Sequence, residues 1–179
     1  MESLNKMLER YMQSERRIFK HYDIEVSVAL DDKMPTVYPA PLDNRSYTLK
    51  FSRALGQLFM EQRDSLLTSQ DIWAAERGER LNKNYKFQLR TEFDNGLQRI
   101  ILEHNGRRIP EDAITEINDK LSDIADGKIK ENPSWRGGNL IAALELQSEH
   151  GRIYLENLPE TSLYSVRTRV EIPLKKLSS

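Results

Sequence analysis

The sequence predicts an α+β fold: a two-layer sandwich in which one mixed, mostly antiparallel sheet is covered on one face by helices. Segments with apolar residues every three or four positions are interspersed with segments whose apolar residues alternate. The strand-like segments occur mostly as consecutive pairs, with helical patterns between them. One pair is joined by Asp94-Asn95-Gly96, and Asn-Gly favours the two positive φ angles of a tight hairpin turn.

The predicted elements follow from these patterns in order. They are a helix over 3–20, a strand over 24–30, a helix over 46–67, hairpin strands over 85–93 and 97–103, a helix between Pro110 and Gly127, a helix over 138–149, and final strands over 151–157 and 165–174. Segments 31–45 and 128–137 are predicted loops, and the polar segment 68–84 receives no element.

Helix ends are indicated by specific residues. Ser3 is the expected N-cap of the first helix, because its hydroxyl can accept a hydrogen bond from a free backbone N–H. Gly127 and Gly151 are expected to end the two helices that precede them, since glycine adopts the left-handed conformation that follows many helices.

The composition limits the classes of function. The chain has 179 residues, which fits one domain over 23–179 with a helical extension over 1–22 for dimerisation or linkage. It has no cysteine, which excludes disulfides and cysteine zinc sites. A net charge of -1 with both signs interspersed argues against a nucleic-acid surface. No apolar run is long enough to span a bilayer, so we expect a soluble, cytoplasmic protein without direct membrane insertion, or a soluble piece of a membrane receptor.

Four motifs occur in a fixed order. They are Leu55-Gly56-Gln57-Leu58-Phe59-Met60-Glu61, Glu103-His104-Asn105-Gly106-Arg107-Arg108-Ile109-Pro110, Gly137-Gly138-Asn139-Leu140 and Val170-Glu171-Ile172-Pro173-Leu174. Together they resemble the GHKL (Bergerat-fold) ATPase domain of two-component sensor histidine kinases, of the LytS/YesM or quorum-sensing type. The resemblance covers residues 3 to 177 and implies an ATP and magnesium site between the sheet and a lid.

The resemblance places Glu61 where the family has an asparagine that binds magnesium, or Met60 if the alignment shifts by one residue. A glutamate can bind magnesium through oxygen, but it adds negative charge beside a polyphosphate. The alternative is a solvated glutamate on a helix surface.

His104 lies where the family has an aspartate that accepts a hydrogen bond from the adenine amino group. A neutral imidazole offers one acceptor of different geometry, and losing the carboxylate should cost about 1–3 kcal/mol of binding free energy. Glu103 does not replace it, because neighbouring strand residues point to opposite faces. The alternative is an ordinary polar strand end and turn at His104-Asn105-Gly106.

Arg108 stands where the family has the second glycine of this motif, after Gly106. With Arg107 it could bind phosphate or lie solvated. Gly137, Gly138 and Asn139 open a helix, and their backbone amides could hold an anion or form a lid hinge.

No catalytic residue is predicted within the chain. His21, His104 and His150 lack the surroundings of a phospho-accepting histidine, and no nucleophile elbow, P-loop or zincin motif occurs. Three hypotheses follow: a GHKL-like domain with weak or lost ATP and magnesium binding that acts on a sensor kinase or response regulator; an ATP-binding module that phosphorylates a histidine on another segment; and an unrelated α+β binding protein. The first includes a homodimer through helix 3–20.

Overall fold

The computed structural model describes residues 3–35, 44–81, 83–130 and 137–174, and for residues 44–48 it describes the backbone alone. The helices are α1 (Leu4–His21), α2 (Asn44–Leu66), α3 (Ser69–Glu76), α4 (Glu111–Ala125) and α5 (Gly138–Leu146), which a 3-10 turn extends over Gln147–Glu149. The strands are β1 (Glu25–Ala29), β2 (Lys86–Asp94), β3 (Leu97–His104), β4 (Arg152–Asn157) and β5 (Val166–Pro173).

The five strands form one mixed sheet in the order β1-β2-β3-β5-β4. β1 runs parallel to β2, and the other pairs are antiparallel. The β2–β3 turn has the predicted hairpin geometry, with φ of 50° at Asn95 and 77° at Gly96. The predicted α+β class and the mostly antiparallel sheet are therefore confirmed.

The core lies between the sheet and the helices. Alternate residues of β2, β3 and β5 are buried together with the apolar stripes of α1, α2 and α5. Phe87 of β2 lies 5.0 Å from Phe19 of α1 and 5.6 Å from Phe59 of α2, measured between ring centroids. Aromatic contacts of this kind add packing energy beyond area burial.

Helix α1 therefore packs into the core of the domain. Its predicted N-cap is confirmed, since the Ser3 hydroxyl accepts a hydrogen bond from the backbone N–H of Lys6 at 3.3 Å. Leu4, Leu8 and Met12 are buried on its inner face. A dimer through α1 stays a prediction, and it would have to use the charged outer face. The predicted division between residues 22 and 23 also stays a prediction.

The opposite face of the sheet carries charged residues in cross-strand pairs. Glu103 of β3 stands opposite Arg167 of β5, and its carboxylate lies 2.6 Å from that guanidinium. Arg90 of β2 approaches the same carboxylate at 3.6 Å. Facing opposite charges stabilise a sheet, so this open face is held by ion pairs.

Two predictions about local structure were wrong. Segment 68–84 contains helix α3, whose capping box joins Thr68 and Asp71. The helix predicted over 138–149 changes to a 3-10 turn after Leu146, and its left-handed terminal residue is His150 (φ 57°), not Gly151. Gly127 does have the expected positive φ, 75°. Within the described residues, no helix has both the length and the apolar character needed to cross a membrane.

Candidate functional site

The predicted site residues are organised by helix α2, which contacts both glycine motifs. The carboxylate of Glu61 accepts a hydrogen bond from the backbone N–H of Gly138, in the first turn of α5, at 2.7 Å. The N-cap of α5 is Gly137, which has no side chain to bond the free N–H groups. Glu61 thus caps α5 from another helix, and its negative charge suits the positive end of the helix dipole.

Gly138 is required by the close approach of α5 to α2. A Cβ atom at this position would lie 2.3 Å from the carbonyl oxygen of Gln57 and 2.9 Å from Cβ of Glu61. A larger residue would force the two helices apart. At Gly137 a Cβ atom would meet nothing closer than 3.8 Å, so the requirement applies to one of the two glycines.

His104, at the end of β3, is buried, with 1% of its surface exposed. Its Nδ1 accepts a hydrogen bond from the backbone N–H of Gly106 at 3.1 Å. The neutral ring therefore carries its proton on Nε2, which has no partner among the described residues. Burial lowers the pKa of His104 to about 4, so the ring is neutral at pH 7.

Gly106 lets the chain after β3 pass against the end of α2. A Cβ atom there would lie 2.9 Å from both Cα of Leu66 and the carbonyl oxygen of Ser65. Ser65 follows Glu61 by one helical turn, about 6 Å along the axis. The His104–Gly106 and Glu61–Gly138 pairs are therefore neighbours along α2, as the resemblance implies for residues of one crevice.

Arg108 is directed to a neighbouring loop. Its side chain is exposed, and its guanidinium donates to the carbonyl oxygen of Leu158 at 2.5 Å. This bond links the segment after β3 to the segment after β4. Arg107 is exposed. The structure thus separates Arg108 from the contacts that Glu61 and His104 make.

Asn139 is buried in the first turn of α5, with 5% of its surface exposed, and its Oδ1 has no partner among the described residues. The loop predicted over 128–137 is described only in part, and Asn132, Pro133 and Arg136 lie outside the described residues. The described part of the chain has no group of three or more His, Asp or Glu side chains placed to hold a metal ion.

Sequence reasoning missed a buried polar contact beside the site. Gln62 of α2 donates from Nε2 to the hydroxyl of Thr168 on β5 at 3.0 Å, and both residues are buried. It also missed the fastening of the β3 end by Asn105, whose side chain bonds the backbone of Lys86 and Asn84 at 2.7 Å each. The polar Gln62 among the apolar residues of α2 was the available signal for the first contact.

Comparison with known proteins gives structural neighbours only. No protein-family profile matches the chain, and a search of curated proteins returns no relative. The catalytic domain of histidine kinase ThkA superposes with a TM-score of 0.60 at 17% identity, over 96% of this chain and 92% of that domain. The mycobacterial sensor histidine kinase MprB gives 0.60 at 11% identity, over 98% and 97%.

Two further neighbours extend the set. Histidine kinase AdeS of Acinetobacter baumannii gives a TM-score of 0.56 at 12% identity, over 98% of this chain and 66% of that chain. ThkA in complex with response regulator protein TrrA gives 0.60 at 17% identity, over 97% of this chain and 41% of that chain. The LytS/YesM subtype stays a prediction. The chain adopts the fold of the ATPase domain of histidine kinases, as the motifs of the sequence indicated.

Proposed function

We propose that this chain is a histidine-kinase-like ATPase domain of two-component signalling that handles nucleotide weakly or not at all. It acts by contacts with a sensor kinase or a response regulator, as a pseudokinase does. The observation that carries this proposal is the 2.7 Å hydrogen bond from the Gly138 amide to the Glu61 carboxylate. An internal anion occupies a helix N-terminus of the kind that binds phosphate in other proteins.

The charge of Glu61 opposes a polyphosphate at this position. A phosphate oxygen could reach the Gly138 amide only if the carboxylate moved away, and α5 would then lose its cap. If the carboxylate stayed, two like charges within about 4 Å would cost roughly 1–4 kcal/mol, depending on solvent screening. A magnesium ion on Glu61 would also have to draw the carboxylate from the amide.

The hydrogen-bonding character of His104 opposes adenine. The ring uses its acceptor nitrogen for the Gly106 amide and holds a proton on Nε2. The exocyclic amino group of adenine is itself a donor, so the two would meet donor to donor. The residues present therefore do not fit the magnesium–ATP arrangement that the resemblance implies, and we route no reaction step through it.

The proposed partners rest on the structural neighbours. One neighbour, ThkA, is a histidine kinase in complex with a response regulator, and this chain shares its fold. A degenerate domain of the same shape could contact the same kinds of protein while lacking catalysis. A homodimer through the exposed face of α1 is part of the same proposal.

The proposal is tested by calorimetric titration of ATP and ADP, with and without magnesium. The wild-type chain is expected to show no saturable binding below about 1 mM, a binding free energy weaker than about 4 kcal/mol. The variant Glu61→Asn/His104→Asp, which restores the family residues, is expected to gain at least about tenfold in affinity, since each change removes a mismatch of roughly 1–3 kcal/mol.

The outcome that contradicts the proposal is magnesium-dependent ATP binding by the wild type in the micromolar range, together with thermal stabilisation by saturating ligand. That result would favour the alternative function, an active domain that phosphorylates a histidine on a separate segment. Arg17→Glu is the matched control, because Arg17 is an exposed residue of α1 outside the site.

A further inference from the structure

A basic groove lies beside the start of β1, away from the residues that the resemblance singled out. One cleft of about 870 Å³ separates the C-terminal half of α1 from the segment before β2, and Arg16, Lys20, Arg80 and Lys83 line it. A second cleft of about 670 Å³ shares Arg80 and Lys83 and is lined by Trp73 of α3. We name the two clefts together the basic groove, defined by these five residues.

Three cations of the basic groove lack counter-ions. Within the described residues, no carboxylate lies at ion-pair distance from Arg16, Lys20 or Arg80, and all three are exposed. Lys83 differs, because its Nζ lies 3.0 Å from the carboxylate of Asp71.

The carboxylates near the groove are occupied by other groups. Asp23 accepts a hydrogen bond from the backbone N–H of Leu81 at 3.3 Å. Glu25 pairs with Lys86 at 3.5 Å. Asp71 accepts from the Tyr85 hydroxyl at 2.6 Å in addition to its contact with Lys83. The unpaired charge in the groove is therefore positive, although the whole chain has a net charge of -1.

This placement works against local stability. Arg16 and Lys20 are four residues apart on α1, where like charges destabilise a helix by about 0.2–0.5 kcal/mol. The helix dipole favours a cation at Lys20, in the last turn. It gives no comparable reason for Arg16, and none for Arg80, which lies outside any helix.

Trp73 adds an apolar component to the groove. Its side chain is 66% exposed, the highest value among the large hydrophobic residues that are exposed. Tryptophan and arginine are the residues most enriched among those that dominate binding energy at protein interfaces. A tryptophan beside unpaired cations fits a partner with both an apolar side chain and carboxylates.

We propose that the basic groove docks an acidic segment of a partner protein, whose carboxylates pair with Arg16, Lys20 and Arg80 and whose apolar side chain packs on Trp73. This deepens the proposed function and rests on it, because it gives the surface through which a domain without nucleotide chemistry contacts its partner. Charge complementarity supplies the association rate and the specificity, and Trp73 supplies the buried contact.

The neighbouring carboxylates favour a protein segment over a nucleic acid or a polyphosphate. Asp23 and Glu25 line the same cleft as Arg16 and Arg80. A continuous phosphate chain would meet these negative groups, whereas a peptide can place a neutral or basic residue opposite them.

The test uses the full chain and a nonapeptide of eight glutamates around a central leucine, labelled for fluorescence anisotropy. The peptide is expected to bind, with affinity that falls as salt is raised. Arg16→Glu/Lys20→Glu is expected to weaken binding about tenfold, and Arg80→Glu alone by a few-fold. Trp73→Ala is expected to weaken binding of this peptide but not of its all-glutamate analogue.

The matched control is Lys6→Glu/Arg17→Glu, which makes the same charge change on exposed positions of α1 outside the groove. It should reduce affinity by less than about twofold. Equal losses in the two double variants would overturn the proposal, because binding would then follow net charge alone. Tighter binding of a polyphosphate or of single-stranded RNA than of the peptide would overturn the protein-segment assignment.

ATP titration of the same samples separates this inference from the proposed function. Tight magnesium-dependent ATP binding with peptide binding that still depends on Arg16 and Lys20 would refute the function and leave the groove assignment standing. Absent ATP binding with no loss in Arg16→Glu/Lys20→Glu would refute the groove assignment alone.

Discussion

Glu103 and His104 are neighbours on β3, yet the two faces of the sheet treat them differently. Glu103 points to the open face, where Arg167 and Arg90 approach its buried carboxylate. His104 points to the helix-covered face, where Gly106 bonds one ring nitrogen and the other has no partner among the described residues. Buried polar groups are normally satisfied, so the covered face near α2 is the region where packing and polarity are in conflict.

The sharpest way to break the covered side is Gly138→Ala. The new Cβ would lie 2.3 Å from a backbone carbonyl oxygen, so α5 must shift and lose its bond to Glu61. We expect a loss of about 3 kcal/mol or more in the free energy of unfolding, measured by urea denaturation. Gly137→Ala, where the nearest atom would be 3.8 Å away, should change stability by less than about 0.5 kcal/mol. Similar effects in the two variants would show that α2 and α5 are not in close contact.

The open face is tested by Glu103→Gln. This change removes the charge that faces Arg167 and Arg90, and breaking a buried ion pair costs about 3–5 kcal/mol. Because 27% of the Arg167 side chain is exposed, we expect a smaller loss of about 2 kcal/mol in urea denaturation. Glu156→Gln, which affects a more exposed partner of Arg167, should cost less than about 1 kcal/mol. Equal costs would mean that burial of Glu103 adds nothing.

The pH dependence of stability isolates His104. Its pKa is lowered to about 4 by burial, so the unfolded chain binds this proton at higher pH than the folded chain does. Stability from this residue is complete above pH 6.5 and falls as pH drops toward 4. Between pH 6.5 and 5 the loss should be about 1.5 kcal/mol. His104→Phe should flatten this part of the profile, whereas His21→Gln, at an exposed position, should leave it unchanged. A profile that His104→Phe does not alter would place the titration elsewhere.

The smallest expected effect is that of Glu61→Ala. Removing the carboxylate leaves the Gly138 amide at the start of α5 without its acceptor. Loss of a helix cap costs about 1 kcal/mol of unfolding free energy. Asp64→Ala is the control, since Asp64 is an exposed residue of the same helix, and we expect it to change stability by less than about 0.5 kcal/mol. A neutral Glu61→Ala would argue against the capping role and weaken the proposed function.

Much of the candidate site could be located from the sequence but not described. The motifs at Glu61, His104 and Gly138 indicated residues that the structure places along one helix, α2. The contact between Glu61 and Gly138 could not be predicted, because 77 residues separate them and no local pattern reports the distance between two helices. Helix α3 could have been found from Thr68 and Asp71, which form a capping box at the expected spacing.

The sequence by itself determined the features that depend on interactions within a few residues. These include the β2–β3 turn at Asn95-Gly96, the Ser3 cap of α1 and the helix end at Gly127, because backbone sterics and adjacent hydrogen bonds decide them. Only the tertiary structure decided that β1 pairs parallel to β2, that His104 is buried, and that a glutamate from α2 occupies the N-terminus of α5. These depend on which distant surfaces exclude water together, and that is a property of the whole packed chain.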